Sequence, residues 1–302
     1  MSTTERLKGI AMFVAVANAG SFTAAAERLN LSSSAVSKGI ARLEGRLGAR
    51  LFERTTRSLA LTESGTAYYN VCTRVIDDLE EAETALAAQR AEPSGTLRID
   101  LPASYGRLHV LPQILAFVEH HPKLRAHISF TDRFVDLLEE GIDLTVRIGS
   151  VDVWPASLNH RCLGTERVIR CASPAYLAQR GSPQSIEDLA AHACVLYGKA
   201  DGSISPWFFA DGVGKTQARQ ISGRIVVGNA EALVSAVMAG SGIAQFATWL
   251  IKEQLHNGEL VEVLPELATE GLTLYLAWPR SRETLPKVQG LVALLSTVLT
   301  VS

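Results

Sequence analysis

Residues 32–48 read SSSAVSKGIARLEGRLG, and the fold of the chain's head hangs on them. Val36, Ile40, Leu43 and Leu47 recur at four, three and four residues, the period of one apolar helical face, so this side is expected to pack on a core. On the opposite side Ser34, Ser37, Lys38 and Ala41 keep the same period, which sends small donors and one long cation outward together. Such a stripe fits a nucleic-acid groove. Just upstream, GSFTAAAERLN supplies Gly20 as a helix stop, Ser21 as an N-cap, and Phe22, Ala25, Ala26 and Leu29 as a second short apolar face. Three alanines at 24–26 let two helix axes cross closely, and the NLS that follows is a turn of helix-turn-helix length. Leu7, Ile10, Val14 and Ala17 predict a third helix to pack against the pair.

Charge separates this head from the rest. Residues 1–60 carry nine Lys or Arg against four acids, a net of +5, so residues 61–302 carry −7 of a chain whose total is −2. A basic head on an acidic body is the pattern of a phosphate-binding module joined to something else. After the helix, Leu59 and Leu61 alternate with polar residues and Arg54, Thr55, Thr56 and Arg57 cluster at a hairpin tip, which reads as a wing. Thr62 then caps a long helix whose apolar positions, Tyr68, Cys72, Val75, Leu79, Ala82 and Leu86, step by four and three in a heptad seam with acids on its flanks. One seam of this kind packs against a partner helix or against the chain's own body. AEPSG at 91–95 ends it.

From about residue 96 strands and helices alternate: TLRID, then GRLHVLPQILAFVEHH as helix, LRAHISF as strand, RFVDLLEEG as helix and DLTVRIG as strand. The body is α/β. A second set begins at RVIRCA, continues through VVGNAEALVSAVMAG and GIAQFA, and ends before LTLYLAWP, expected to return to the first lobe.

At this point the chain resembles a known family. FTAAAERLNLSSSAVSKGIARLEGRLGARLFERTTRSLALTESG is similar to the winged helix-turn-helix of the LysR-type transcriptional regulators, and TLRIDLPASYGRLHVLP, DLLEEGIDLTVRIG, CASPAYLAQRG and GNAEALVSAVMAGSGIAQF resemble landmarks of that family's effector domain. The resemblance implies an all-α winged helix-turn-helix DNA-binding domain at 1–62, a linker and dimerisation helix at 63–90, and an effector-binding domain at 91–302. That last domain would hold two Rossmann-like subdomains, like a periplasmic binding protein, with subdomain I at about 96–165 and 272–302 and subdomain II at about 166–271. By position, Ser33, Ser34, Ser37 and Lys38 match base-facing residues, Arg54, Thr56 and Arg57 match wing contacts, and Thr23 would touch phosphate. Gly39 departs from the pattern, at about 1 kcal/mol of helix propensity against alanine. The implied partners are an imperfect palindromic operator in double-stranded DNA, a small-molecule effector, and further copies of the chain as homodimer and homotetramer. Effector binding is expected to close the lobes and alter the bend of the DNA.

Ligands in open α/β sheets sit beyond the carboxyl ends of the strands. Those ends carry Ser104, Thr131 and Arg147 in one lobe and Asn229 and Thr248 in the other. Ser104 and Thr131 match the family's inducer-contacting positions; the other three follow from their place at strand ends. Hydroxyls beside helix ends suit a small carboxylate, although each of Ser104, Thr131 and Thr248 could instead be a plain N-cap. Two other readings stay open: a cysteine redox switch on the same scaffold, using Cys162 and Cys171, and a solute-binding protein without specific DNA binding.

The remaining features exclude classes. GVGKT at 212–216 resembles a phosphate loop, but its first glycine would fall at Phe209 and no strand is expected before it. GSGIAQ at 240–245 follows a helix and enters a strand, the reverse of a dinucleotide fingerprint. His120 and His121 are adjacent, not at i, i+4 metal spacing, and the four cysteines lack any CxxC pair, so neither metal, cofactor nor disulfide framework is expected. No nucleophile, base and orienting acid assemble from local motifs, so no enzyme is inferred. No apolar run reaches the ~18 residues of a membrane span and polar residues break any signal core in the first twenty, which leads to an expectation of bacterial cytoplasm, on the nucleoid.

Overall fold

The computed structural model describes residues 3–54, 59–87, 92–133, 135–149, 154–199, 201–211 and 215–299. The chain divides into two compact units, residues 1–91 and 92–302. The first unit holds α1 (Thr3–Ala19), α2 (Phe22–Arg28), α3 (Ser33–Leu47), the hairpin β1 (Phe52–Arg54) and β2 (Leu59–Leu61), and the long α4 (Glu63–Ala87). Ser21 and Ser32 cap α2 and α3, the latter hydroxyl accepting the Ala35 N–H at 3.1 Å, and Gly48 ends α3 in the left-handed region at φ +66°.

On α3 the buried face is Val36, Ile40 and Leu43, but Leu47 is exposed because the helix runs out past the core at its last turn. The helix α1 contributes Phe13 and Val16, both fully buried, rather than Leu7, which is exposed. The Phe13 ring meets those of Phe52 at 5.3 Å and Tyr68 at 5.4 Å, so the wing and α4 join the same core. Gly39 has a reason: a Cβ there would overlap the Met12 side chain, so its propensity cost is offset by the close approach of α1. Gly65 is tighter still, since a Cβ would run into the Leu51 carbonyl oxygen.

Thr62 caps α4, accepting the Gly65 N–H at 2.8 Å, while its own hydroxyl donates to the Arg50 carbonyl. The expected seam is corrected at its start. Cys72 is buried in the head's own core and Tyr68 packs beside it, so neither faces outward. The exposed apolar stripe is Val71, Val75 and Leu79, spaced one helical turn apart. Nothing is described of the side chains of Ala82 and Leu86.

The second unit has two lobes. Lobe I is a five-stranded sheet in the order β4-β3-β5-β14-β6, formed by β3 (Gly95–Leu101), β4 (Leu124–Phe130), β5 (Leu144–Ile148), β6 (Leu158–Thr165) and β14 (Thr273–Pro279). β3 runs parallel to β4 and β5, and β14 is antiparallel to β5 and β6. The connection from β3 to β4 is α5 (Ala103–Tyr105), one π-helical turn at Gly106–Val110, and α6 (Leu111–His120). The helix expected at 133–141 is absent. Asp136 instead accepts the N–H groups of Leu138 and Glu139 through its side chain, and Gly141 at φ +67° turns the chain into β5. The C-terminal helix α10 (Pro286–Val298) covers one face of the sheet, and its buried Lys287 donates to the Thr96 carbonyl and to Asp143. Asp143 is itself fully buried, and also accepts from the Arg98 N–H at 2.7 Å and from Arg282.

Lobe II contains β7 (Val168–Ala172), α7 (Pro174–Arg180), β8 (Val195–Tyr197), the hairpin β9 (Trp207–Ala210) and β10 (Thr216–Arg219), β11 (Ile225–Val227), α8 (Ala230–Met238), β12 (Ala244–Ala247), α9 (Thr248–His256) and β13 (Val261–Val263). Its strands lie in the orders β12-β7-β13 and β11-β8, joined by a bridge between Cys194 and Ile243. A strand, β9, does precede residues 212–216, contrary to expectation. A strand also follows them, where a phosphate loop needs a helix. The chain passes between lobes at residues 166–167 and 270–272, where the two crossings touch: Gly271, at φ +78°, leaves no room for a Cβ against the Glu166 carbonyl.

Candidate functional site

In the first unit the polar face of α3 is built by packing its other face. Ser33, Ser34 and Lys38 are exposed and Ser37 is half-buried, and Lys38, Ala41 and Arg42 line an open depression. Thr23 is exposed on α2. Arg54 ends β1, paired with Leu59 across the hairpin, and Thr56 and Arg57 lie outside the described residues. One contributor was not visible in the sequence. The Glu44 carboxylate accepts the N–H groups of Leu51 at 2.8 Å and Phe52 at 3.3 Å, tying the base of the wing to α3. An acid on an otherwise basic helix was the only signal of it.

In the second unit the five strand-end residues play unequal roles. Ser104 is 5% exposed, and its hydroxyl helps hold the Glu231 carboxyl of lobe II ionised. Arg147 is not a free cation facing the mouth: burial has paired it with Asp100, Nη2 to Oδ1 at 2.5 Å, and its Nη1 donates to the Thr131 carbonyl. It holds the Thr131 loop from beneath. The Thr131 hydroxyl accepts the Arg133 N–H, and Asn229 caps α8 by accepting the Ala232 N–H at 2.9 Å. Thr248 starts α9 without capping it; its hydroxyl donates to Glu166 on the first crossing at 3.2 Å. Among Ser104, Thr131 and Thr248 none is the side-chain N-cap of the helix it precedes or begins.

Residues that sequence reasoning passed over complete the mouth. Arg107 Nη2 lies 2.6 Å from Glu231 Oε2, across the lobes. Hydrogen bonding from Arg107, then its charge and the Ser104 hydroxyl, holds the Glu231 carboxyl below its ordinary value despite some desolvation. Asp132 Oδ1 accepts the Ala103 N–H, and its Oδ2 accepts from the Tyr197 hydroxyl of lobe II at 3.1 Å. Burial, with Asp132 beside it, pushes the Tyr197 phenol up to about 12. Deeper in, Trp249 stands edge-on to Tyr105 at 5.1 Å and to His109 at 5.6 Å. Burial lowers the His109 pKa and raises that of Tyr105 to about 12, so both rings are neutral at pH 7. The mouth therefore combines an aromatic floor with a rim where protein carboxylates already fill the cation and hydroxyl donors.

Comparison with known proteins decides what these two sites belong to. Residues 7–66 match the bacterial regulatory helix-turn-helix protein of the lysR family, and residues 90–300 match the LysR substrate binding domain. The chain belongs to the LysR family. It is a DNA-binding transcriptional regulator with an effector-binding domain, of a non-enzymatic kind. Among LysR-type relatives, it is 36% identical to the regulator CrgA of Neisseria meningitidis serogroup C over 86% of each chain. It is 34% identical to an uncharacterised HTH-type regulator of Haemophilus influenzae over 95% of this chain and 98% of the other. The solved structure of Neisseria meningitidis CrgA matches with a TM-score of 0.59 at 30% identity over 97% of both chains. Full-length AphB, a Vibrio cholerae virulence activator, matches at 0.61 and 25% identity, over 96% of this chain and 98% of that one.

Within this LysR-type chain Cys171 is fully buried and burial raises its thiol to about 12, while Cys194 is buried and raised to about 11. Such thiols are not nucleophilic. Cys162 is exposed. Among the described residues no group of three or more His, Cys, Asp and Glu could hold a metal ion, and no helix is long and apolar enough to cross a membrane.

Proposed function

We propose that this LysR-type regulator reads an imperfect palindromic operator through paired α3 helices and is switched by a small carboxylate bound between lobes I and II. Ser33, Ser34, Ser37 and Lys38 face base edges, Thr23 takes a backbone phosphate, and Arg54, Thr56 and Arg57 of the wing hold adjacent phosphates. The observation that carries the DNA reading is the division of α3 into a buried face of Val36, Ile40 and Leu43 and an exposed face bearing Lys38. Homodimerisation, and tetramers built from dimers, are supported by the exposed Val71, Val75 and Leu79 stripe on α4. Arg107, between the lobes, supports a carboxylate ligand, since it already holds one.

The test is binding of the purified protein to DNA from upstream of its own gene against a random duplex of equal length, across a salt series. A preference of about a thousandfold or more supports base reading by α3. Equal, steeply salt-dependent binding to both overturns it.

A further inference from the structure

We propose that Glu231 is the resident carboxylate of the cleft, clasping lobe II to lobe I through Arg107 until a small-molecule acid displaces it. The inference rests on the reading of this cleft as a carboxylate site, and adds how the site is regulated.

Its geometry is that of a bound acid. Glu231 Oε2 is 2.6 Å from Arg107 Nη2, so the carboxylate of one lobe takes a cation of the other as a free ligand would. Glu231 stands in the first turn of α8, whereas Arg107 and Ser104 follow β3, so the carboxylate is tethered to one lobe and held by the other. The neighbouring Ala103 N–H is filled by a second protein carboxylate, Asp132, which also accepts from Tyr197. Two acids from the chain itself thus occupy the donors at the rim.

The clasp is built to yield. Arg107 and Glu231 side chains are 52% and 41% exposed, and half-exposed ion pairs contribute little because water and salt screen them. Beneath them the packing of Trp249 on Tyr105 and His109 needs no charge. A free acid that pairs with Arg107 replaces Glu231 without being tethered to α8. The Arg107–Glu231 link between lobes then breaks, while the Tyr197–Asp132 bond and the packing of Trp249 persist. Ligand entry therefore loosens the rim, the opposite of the closure expected from sequence. The Glu231 carboxyl lies below its ordinary value and stays ionised at neutral pH, so it competes throughout the physiological range.

Two full-length variants test this, Glu231→Gln and Arg107→Gln, with acetate as the probe and chloride holding ionic strength constant. Hydrogen exchange at residues 103–107 and 230–234 reads the clasp, and tryptophan fluorescence reads acetate binding. Both variants should speed that exchange, by up to about fivefold, the ceiling for an exposed pair. Acetate should do the same to the unaltered protein. Acetate affinity should then move in opposite directions, up to about fivefold tighter in Glu231→Gln and weaker in Arg107→Gln. Unchanged exchange in both variants overturns the clasp. Acetate binding equally to the unaltered protein and Glu231→Gln overturns displacement while leaving the carboxylate reading intact. No acetate response in any of the three up to about 100 mM, well past a millimolar site, overturns that reading as well.

Discussion

The face of α3 and the mouth of the cleft treat their polar side chains in opposite ways. On α3 the functional face is the side left over after Val36, Ile40 and Leu43 are buried, and Ser33, Ser34 and Lys38 are exposed. In the cleft, Arg107 is engaged by Glu231, Arg147 by Asp100, and Tyr197 by Asp132. The α3 face waits for a partner whose charge pattern is fixed in advance. The cleft's polar groups are already satisfied by the chain itself, which is what the proposed exchange with a free acid requires.

The largest effect that would sharpen the contrast is at buried charge. Asp143→Ala strips the carboxylate from Lys287, Arg282 and the Arg98 N–H in lobe I, and should cost about 3–5 kcal/mol in denaturant unfolding of the second unit. A loss under 1 kcal/mol would show that the body is not held by internal polar pairing. In the head the corresponding weak point is steric. Gly65→Ala should cost about 3 kcal/mol because its Cβ meets the Leu51 carbonyl, and should lower the melting of the first unit alone.

Smaller effects probe function. Lys38→Ala should cost about 1–3 kcal/mol on operator DNA and little on random duplex, whereas Arg57→Ala should weaken both evenly and reduce the salt slope by about one. Equal losses for Lys38→Ala on both DNAs would break the assignment of α3 to base reading. The smallest effect is on pH. The Glu231 carboxyl is depressed in the folded state, so its contribution is complete above the ordinary value of 4.5 and is lost as pH falls through the lower folded value. Tryptophan fluorescence of the cleft should be flat from neutrality down to that point and change only below it; a transition near neutrality would point to another group.

This contrast also explains what was legible in the sequence. Helical period alone separates the two faces of α3, because local packing decides which residues turn outward, and Gly20, Ser21 and Thr62 mark helix ends by their chemistry. Alternating strands and helices similarly expose the α/β body. What stayed hidden depends on contacts distant in sequence. Tyr197 meets Asp132 from 65 residues away, Arg107 meets Glu231 from the other lobe, and no local pattern foretells either. Arg147 looked like a ligand-facing cation because its strand end was visible and its burial by Asp100 was not. At 133–141 an apolar and acidic run suggested a helix, but the turn that Asp136 caps is cut short when Gly141, at φ +67°, leads the chain into β5. On α4 the expected seam keeps Val75 and Leu79 on the exposed side, but Cys72 serves the head's core and Val71 stands outside in its place.

The place of β14 between β5 and β6 sets an order of birth. Lobe I begins at residue 95 but lacks a central strand until residues 273–279 leave the ribosome, after all of lobe II has been made. Lobe II, contiguous from 168 to 263, can be finished first. A chain stopped short by a late nonsense codon would keep a complete head and second lobe, yet carry a torn first sheet with Leu144, Val146 and Leu163 uncovered.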